Sequence, residues 1–262
     1  WALARTGLML AAGTAVAFNL MRVLKPAAVV GFGGYPTLPP LIAARLKGIP
    51  TVIHDSNAVM GRANSFLSKR VSAIATSLPG VLDKEPSLIG KTTTTGTPMR
   101  PAILAAAAVP FAAPGLGDPL RVLVVGGSQG EIYDRLEIEA ELAPFFADLP
   151  ARLASSHIVV SRSGAGTVAE LGAIGRPSVL VPLPGAIDQD QFANAGVLAD
   201  AGGAIRIVQP DFTPDRLAAE LSALAADPAR LAAMATAARA VGRLDAAGRL
   251  ADLVMRVART GA

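Results

Sequence analysis

Short apolar runs alternate with amphipathic stretches along most of the chain. Residues 27–30, 51–54, 71–76 and 92–95 read as strands, and 120–125, 157–161 and 178–181 form a second series. These runs are too short for helices and rich in Val, Ile, Leu and Thr, and most close on Gly, Pro or a short polar residue. That is the mark of strands buried on both faces of a parallel sheet. Between them, residues 39–47, 59–70 and 167–175 carry apolar side chains at helical spacing, and 101–109 do so weakly. Residues 211–259 read as helix with breaks at the Asp227-Pro228 pair and at Gly242. Strands that alternate with helices predict an α/β fold. The chain divides into residues 1–109 and 120–245, with a Pro-, Gly- and Ala-rich linker at 110–119 and a terminal helical segment at 246–262.

The apolar run 8–21 predicts a further helix. It is shorter than the roughly 20 residues that span a bilayer, and Asn19 interrupts it. Arg22 and Lys25 suit a helix C-terminus and Pro26 ends it. Arg5 ahead of it resembles the start of a signal peptide, but no small-residue cleavage site precedes the next strand. The run reads as an amphipathic or buried helix of a soluble domain. Membrane contact through Leu8, Met9 and Leu10 is the alternative.

Composition narrows the partners. Hydrophobic residues make up 52% and aromatic ones only 4%, which predicts a finely packed, helix-rich core. The absence of cysteine excludes a disulfide scaffold and a thiolate metal site. A net charge of +4 and a pI near 9.8 suit nucleotides, pyrophosphates or an acidic membrane surface. The Lys and Arg residues are scattered rather than gathered on one periodic face, which argues against nucleic acid.

The candidate chemistry lies where strands end, the edge on which open α/β sheets bind ligands. The richest stretch is 157–194. Its strand enters a turn, Ser163-Gly164-Ala165-Gly166-Thr167, that leads into a helix whose free N–H groups can face an anion. Glu170, three positions into that helix, suits a ribose hydroxyl. The plainer reading is a structural glycine turn with Glu170 as a first-turn acid. After the next strand, Asp188-Gln-Asp-Gln191 and Asn194 add hydrogen-bonding groups on the same edge. Gly31-Phe-Gly33-Gly34-Tyr35-Pro36 and Gly126-Gly127-Ser128-Gln129-Gly130 repeat the glycine device after two other strands, where positive φ and close backbone approach are needed.

Asp55-Ser-Asn57 follows the second strand, and Asn57 either meets a sugar hydroxyl or caps the next helix. His54 reads as a satisfied strand-end histidine, and His157 has no evident partner. No Lys follows the glycines at P-loop spacing, which excludes a P-loop ATPase. Nor is there a GxGxxG with a downstream acid, which weakens a dinucleotide reading. Three glycine-rich strand ends in two halves predict two Rossmann-like domains facing across a cleft.

In order, GFGGYP (31–36), HDSNAVMGRAN (54–64), GTPMRP (96–101), GGSQG (126–130) and SRSGAGTVAELGAIGRPSVLVPLPGAIDQDQFANA (161–195) resemble the MurG family. These are bacterial transferases that move N-acetylglucosamine from UDP-GlcNAc to lipid I in peptidoglycan synthesis. Each motif alone is weak; together, over nearly the whole chain, they are specific. The resemblance implies a GT-B fold of glycosyltransferase family 28, with the donor held mainly by the C-terminal domain. It further implies inversion at the anomeric carbon, no tightly bound metal and no cofactor, UDP-GlcNAc being a substrate. The acceptor would be undecaprenyl-pyrophosphoryl-MurNAc-pentapeptide. The implied location is the cytoplasmic face of the bacterial inner membrane, held peripherally on an anionic membrane surface, without nucleic acid. Residues 246–259 would cross back onto the N-terminal domain.

Motif by motif, Asn57 resembles the donor-sugar contact, and Arg100 and Ser128 the diphosphate contacts. Phe146 falls where an apolar residue packs near the uracil. Ala165, Gly166, Thr167 and Glu170 resemble the helix start at the nucleotide, with Glu170 on the ribose, and Gln191 reads the sugar hydroxyls. Gly126, Gly127, Gln129, Gly130, Ser163 and Gly164 would support these loops. Gly33, Gly34 and Tyr35 would face the acceptor pyrophosphate. No residue is assigned as the catalytic base.

The chain departs from the family pattern in three places. Asp55-Ser56 stands where Glu-Gln is usual. The N-terminal strand and its GGTGGH loop, with a candidate catalytic histidine, have no counterpart. Glu131 follows GGSQG directly, where the family has a further helix, strand and helix. The chain thus reads as a fragment or an internally deleted copy, with a strand lost from the second sheet. Two other readings share the pattern. One is another GT-B enzyme, such as a glycolipid glycosyltransferase or a UDP-GlcNAc 2-epimerase. The other is a nucleotide-sugar-binding remnant without turnover.

Overall fold

The computed structural model describes residues 2–126, 141, 143–185 and 189–260. They form two compact units, one from Trp1–Pro98 with Arg243–Ala262 and one from Met99–Gly242. The first contains α1 (Ala2–Leu24), β1 (Val29–Gly31), α2 (Leu38–Leu46), β2 (Thr51–Asp55), α3 (Arg62–Ser68), β3 (Ala73–Thr76), α4 (Pro86–Ile89) and β4 (Thr92–Thr94). The second contains α5 (Pro101–Ala107), β5 (Val122–Val125), α6 (Leu149–Ser155), β6 (Ile158–Ser161), α7 (Ala165–Ile174), β7 (Ser178–Leu180), α8 (Asp190–Asp200), β8 (Ala204–Arg206), α9 (Pro214–Ala225) and α10 (Pro228–Val241). The last helix, α11 (Ala246–Thr260), belongs to the first unit.

Each unit holds a four-stranded parallel sheet in sequential order, β1-β2-β3-β4 and β5-β6-β7-β8. Register is regular, with Val52 opposite Ala73 in the first sheet and Val159 opposite Ser178 in the second. A sheet wound in one direction by crossovers of one hand places its connecting helices on one face. In the first sheet, Ile53 and Ile74 meet Leu41, Leu67 and Leu88 of α2, α3 and α4 on that face. Side chains alternate along a strand, so Val52, Ala73 and Ala75 point the other way. There they meet Leu250 and Leu253 of α11. The terminal helix therefore covers the face that the crossovers leave bare. Each of those leucines contributes about 1.5–3 kcal/mol by leaving water.

The second sheet repeats the arrangement. Val159 and Leu180 pack with Leu153, Leu171 and Leu198 of α6, α7 and α8, while Ile158, Val160 and Val179 pack with Leu224, Leu231 and Met234 of α9 and α10. Ile103, Ala106 and Ala107 of α5 also lie in the first of these clusters. For that reason the chain passes from one unit to the other before Met99, ahead of the 110–119 segment read from sequence as the linker.

Strand β8 has no counterpart in the sequence reading. Its three residues form no apolar run, and the parallel ladder with β7 defines it. The N-terminal helix also differs from expectation. It runs for 23 residues through Asn19, because one asparagine costs a helix only a few tenths of a kcal/mol. Its stretch Arg5–Leu24 is long and apolar enough to cross a membrane by length and composition, yet only 11% of it is buried. The expected length is thereby corrected, and of the two readings, amphipathic or buried, the exposure pattern fits the amphipathic one. Ala17 and Met21 are buried, while Leu8, Met9, Val16, Leu20, Val23 and Leu24 are exposed.

Candidate functional site

In the first unit, β1 ends at Gly31, where an added Cβ would lie 2.2 Å from the Thr37 methyl and 2.6 Å from Leu41. Gly33 and Gly34 follow with φ of 83° and 73°, the left-handed region that glycine enters without strain. They turn the chain into a single 3-10 turn, Tyr35–Thr37, and the Thr37 hydroxyl donates to the Gly33 carbonyl. Tyr35 is exposed. This glycine loop is preformed by backbone geometry.

At the end of β2, the buried Asp55 carboxylate accepts from Asn57 N–H at 3.0 Å, Gly61 N–H at 2.9 Å and Asn64 Nδ2 at 2.8 Å. Those bonds hold residues 56–61 as a loop. Helix α3 therefore begins at Arg62 with Gly61 as its N-cap, later than the 59–70 span predicted. Asn57 is not the cap; it stands half-buried on the loop. His54 is buried, and its Nε2 lies 2.9 Å from the Gly96 carbonyl. A carbonyl only accepts, so the proton sits on Nε2. Burial holds the ring below its ordinary pKa, against the raising effects of the Gly96 carbonyl and Asp55. The ring is neutral and engaged.

In the second unit, β5 runs into Gly126 at φ 99°. Gly127, Ser128, Gln129 and Gly130 lie outside the described residues. After β6, the buried Ser163 hydroxyl donates to the Gln191 carbonyl at 2.8 Å, and Asn194 Nδ2 donates to the Ser163 carbonyl at 3.3 Å. These bonds tie the turn before α7 to the start of α8. Gly164 precedes α7, whose first residues are Ala165, Gly166 and Thr167. A Cβ at Gly164 or Gly166 would meet nothing within 4 Å, so open space lies above the helix start.

Glu170 is the sixth residue of α7, so it belongs to the second turn and the first-turn reading is corrected. Its Oε1 accepts from Arg100 Nη2 at 2.9 Å, which brings those two predicted residues together just ahead of α5. Gln191 Oε1 accepts from Leu183 N–H at 3.0 Å, which fixes its amide and leaves the NH2 as a donor. Phe146 stands apart from this group in its contacts, with the Arg152 guanidinium 4.1 Å from its ring centre. Arg152 in turn pairs with Glu141 and Asp148. Hydrogen bonds from Arg152 hold both carboxyls below their usual range.

Two structural anchors were not read from sequence. Asn64 bridges the His54 carbonyl and Asp55, a role signalled only by its position in HDSNAVMGRAN. Arg176 is 1% exposed and donates to the carbonyls of Leu153 and Ala154 at the end of α6. Burial pulls its pKa down to about 10. His157, which lacked an evident partner in sequence, accepts at Nδ1 from Arg121 N–H at 3.0 Å. Among the described residues, no group of three or more His, Asp or Glu side chains is placed to hold a metal ion.

Comparison with known proteins also finds two parts in the chain. The pattern of the glycosyltransferase family 28 N-terminal domain matches residues 3–76, and that of the family 28 C-terminal domain matches residues 129–250. A protein of Nitrobacter winogradskyi is 82% identical over 300 positions, covering 100% of this chain and 82% of its own length. A protein of Rhodopseudomonas palustris (strain BisB5) is 70% identical over 297 positions, covering 99% of this chain and 81% of its own. Both are named UDP-N-acetylglucosamine--N-acetylmuramyl-(pentapeptide) pyrophosphoryl-undecaprenol N-acetylglucosamine transferase. Among solved structures, Acinetobacter baumannii MurG superposes with a TM-score of 0.78 at 28% identity, covering 95% of this chain and 80% of that one. A UDP co-structure of S. aureus MnaA reaches 0.66 at 11% identity, covering 94% and 80%, and shares the fold.

Proposed function

The chain belongs to glycosyltransferase family 28, and from that premise we propose that it moves N-acetylglucosamine from UDP-GlcNAc to the muramyl sugar of undecaprenyl-pyrophosphoryl-MurNAc-pentapeptide. The observation that carries this reading is the 82% identity, across the whole chain, with a relative named for that transfer. The second unit offers the donor site. The start of α7, where an added Cβ at Gly164 or Gly166 would meet nothing within 4 Å, is a helix terminus that favours an anion such as a diphosphate. Arg100 adds a forked cation for the same oxygens. Glu170, one turn further along α7, takes a ribose hydroxyl, and the fixed NH2 of Gln191 takes a sugar hydroxyl.

Transfer with inversion breaks the bond between the anomeric carbon and the diphosphate as the acceptor oxygen bonds from the opposite face, and the proton of the acceptor hydroxyl passes to a general base. Negative charge grows on the leaving UDP, and preorganised donors aimed at it lower the barrier. The Arg100 guanidinium and the α7 N–H groups are such donors. In the first unit, the Gly33–Gly34 turn and Tyr35 receive the acceptor pyrophosphate, and Asn57 approaches the donor sugar. UDP-GlcNAc is a substrate, and the reaction as proposed uses no resident cofactor or metal.

Helix α1 supports a peripheral membrane location, in a bacterium the cytoplasmic face of the inner membrane. One side is packed on α2, while the other carries Leu8, Met9, Val16, Leu20 and Val23 in one exposed stripe, with exposed Arg5, Arg22 and Lys25 for anionic headgroups. The chain has no role on nucleic acid in this reading.

The test is transfer of labelled GlcNAc from UDP-GlcNAc to a lipid I analogue, beside a melt with UDP-GlcNAc, UDP-glucose and GDP. Label in the lipid product and a selective rise with UDP-GlcNAc are expected, about 2.7 kcal/mol at a hundredfold excess over Kd. Free epimerised sugar nucleotide without lipid product would favour an epimerase instead. A selective rise without either product would leave a binding protein, and no rise at all would defeat the donor site.

A further inference from the structure

The carboxyl ends of all four strands of the first sheet converge on one buried side chain. Phe32, just after β1, places its ring 5.5 Å from the His54 ring at 46°. Ser56, after β2, has its hydroxyl 3.5 Å from His54 Nδ1. Ser77, after β3, has its hydroxyl 3.5 Å from Nε2, and Thr97 donates to that same hydroxyl at 2.7 Å. Gly96, after β4, accepts from Nε2 at 2.9 Å. Gly96 itself has φ 88°, and an added Cβ would lie 2.7 Å from Arg243 Cβ, so its carbonyl is held in place from behind.

We propose that His54 is the positioning residue of the first unit, setting the strand-end loops that carry Gly33, Gly34 and Asn57 in mutual register. The proposal rests on the reading that these loops serve the acceptor and the donor sugar. Geometry carries it. Among the described residues, those just after β1, β2, β3 and β4 each have a group against this one ring, and only the Gly96 bond is short. Phe32 directly precedes Gly33, and Ser56 directly precedes Asn57. A shift of the ring would therefore be felt on both loops at once. His54 does not touch the reacting groups in this assignment; it acts through the loops.

The decisive comparison uses two replacements in the full chain. In glutamine, Nε2 lies the same number of bonds from Cα as in histidine, so His54→Gln keeps the donor for Gly96. Phenylalanine fills the space but has no donor, so His54→Phe leaves the Gly96 carbonyl unpaired. His54→Phe should lower kcat/KM for the lipid-linked acceptor by about tenfold to a hundredfold, the cost of misplacing reacting groups by an ångström or less. Its melt shift with UDP, read on the second unit, should not change. His54→Gln should stay within about threefold of the parent. Equal loss in both variants, or full acceptor kinetics in His54→Phe, would overturn the proposal.

Should His54→Phe fail to fold, nitrogen NMR of the unaltered chain decides. The His54 ring must appear neutral with its proton on Nε2, and a proton on Nδ1 would sink the assignment. The spectrum and the UDP melt are read without turnover. A parent chain that transfers no sugar would therefore count against the proposed reaction and leave the placement of His54 to be judged separately.

Discussion

Replacing Asp55 with alanine should release the loop that carries Asn57. The Asp55 carboxylate is 2% exposed and accepts three hydrogen bonds, two of them from backbone N–H groups of the loop itself. A bond to a charged acceptor contributes about 1.5–3 kcal/mol net. The loop is half-exposed, so water reaches Asn57 N–H and Gly61 N–H once the carboxylate is gone. Asn64 Nδ2 is buried but keeps its bond to the His54 carbonyl. The loss should therefore lie near the low end for two such bonds, about 3 kcal/mol, concentrated in the first unit. Asp55→Asn should cost nearly as much, since an amide nitrogen would face donors already aimed at it.

Hydrogen exchange resolved to single amides is the assay. Asn57 and Gly61 should exchange about a hundredfold faster in Asp55→Ala, while amides of β6 and β7 keep their protection. Unchanged protection at Asn57 and Gly61 would refute the reasoning. It would mean that the loop is held by its backbone path and not by the carboxylate.

The other predictions are more compact. Glu170→Gln should weaken UDP-GlcNAc binding by about ten- to a hundredfold through loss of one charged hydrogen bond to the ribose, measured by calorimetry; unaltered affinity would remove Glu170 from the site. Leu253→Ala should cost about 2–5 kcal/mol, because the side chain is 4% exposed against Val52, Ala73 and Ala75, with denaturant unfolding of the first unit as the measure. A paired change on the α1 stripe, Val16→Glu with Leu20→Glu, should abolish binding to anionic vesicles without lowering the melting temperature, since both residues are exposed. Stability should fall as pH drops below about 6.5. His54 and His157 both have folded pKa values held below that ordinary value, first by burial, so the unfolded chain takes up protons that the folded chain refuses. Denaturant midpoints between pH 7 and 5 should show the fall, and it should shrink in a His157→Gln variant.

The strands were legible because their apolar runs are buried on both faces, so a continuous Val, Ile and Leu pattern survives in the text. Strands β2, β6 and β7 begin or end within a residue of the spans predicted. What was not legible depends on contacts far away in sequence. Strand β8 exists through its ladder to β7. The late start of α3 depends on Asp55 capturing Gly61 N–H. Helix α1 looked interrupted because Asn19 was weighed as a break in an apolar run, whereas a helix tolerates it at little cost. Arg176 carries no signal between its glycine and proline neighbours, although the end of α6 rests against its buried guanidinium.

The site divides along the same line. That the candidate residues gather at strand ends could be read from glycine and polar residues alone, but the partners of those residues could not. Ser163, expected to support the loop, donates its hydroxyl to the Gln191 backbone carbonyl, and the Gln191 side-chain oxygen accepts from Leu183 N–H. Sequence gives such side chains their chemistry; only the fold decides which of their atoms are already engaged.

The internal shortening can be weighed against that framework. The match to the Nitrobacter relative spans 300 positions, whereas this chain has 262 residues, so at least 38 positions of the relative face no residue here. A deletion that removed a central strand would break the ladder and expose apolar side chains on both sides of the gap. Instead β5, β6, β7 and β8 pair in continuous parallel register, and Ile158, Val159 and Val179 are almost fully buried. Glu170, Ser163, Gln191 and Arg100 all hang from elements that pack on those strands, and their mutual hydrogen bonds are intact. The described part of the second unit thus keeps a continuous sheet and the hydrogen bonds that hold Glu170, Ser163 and Gln191 in place.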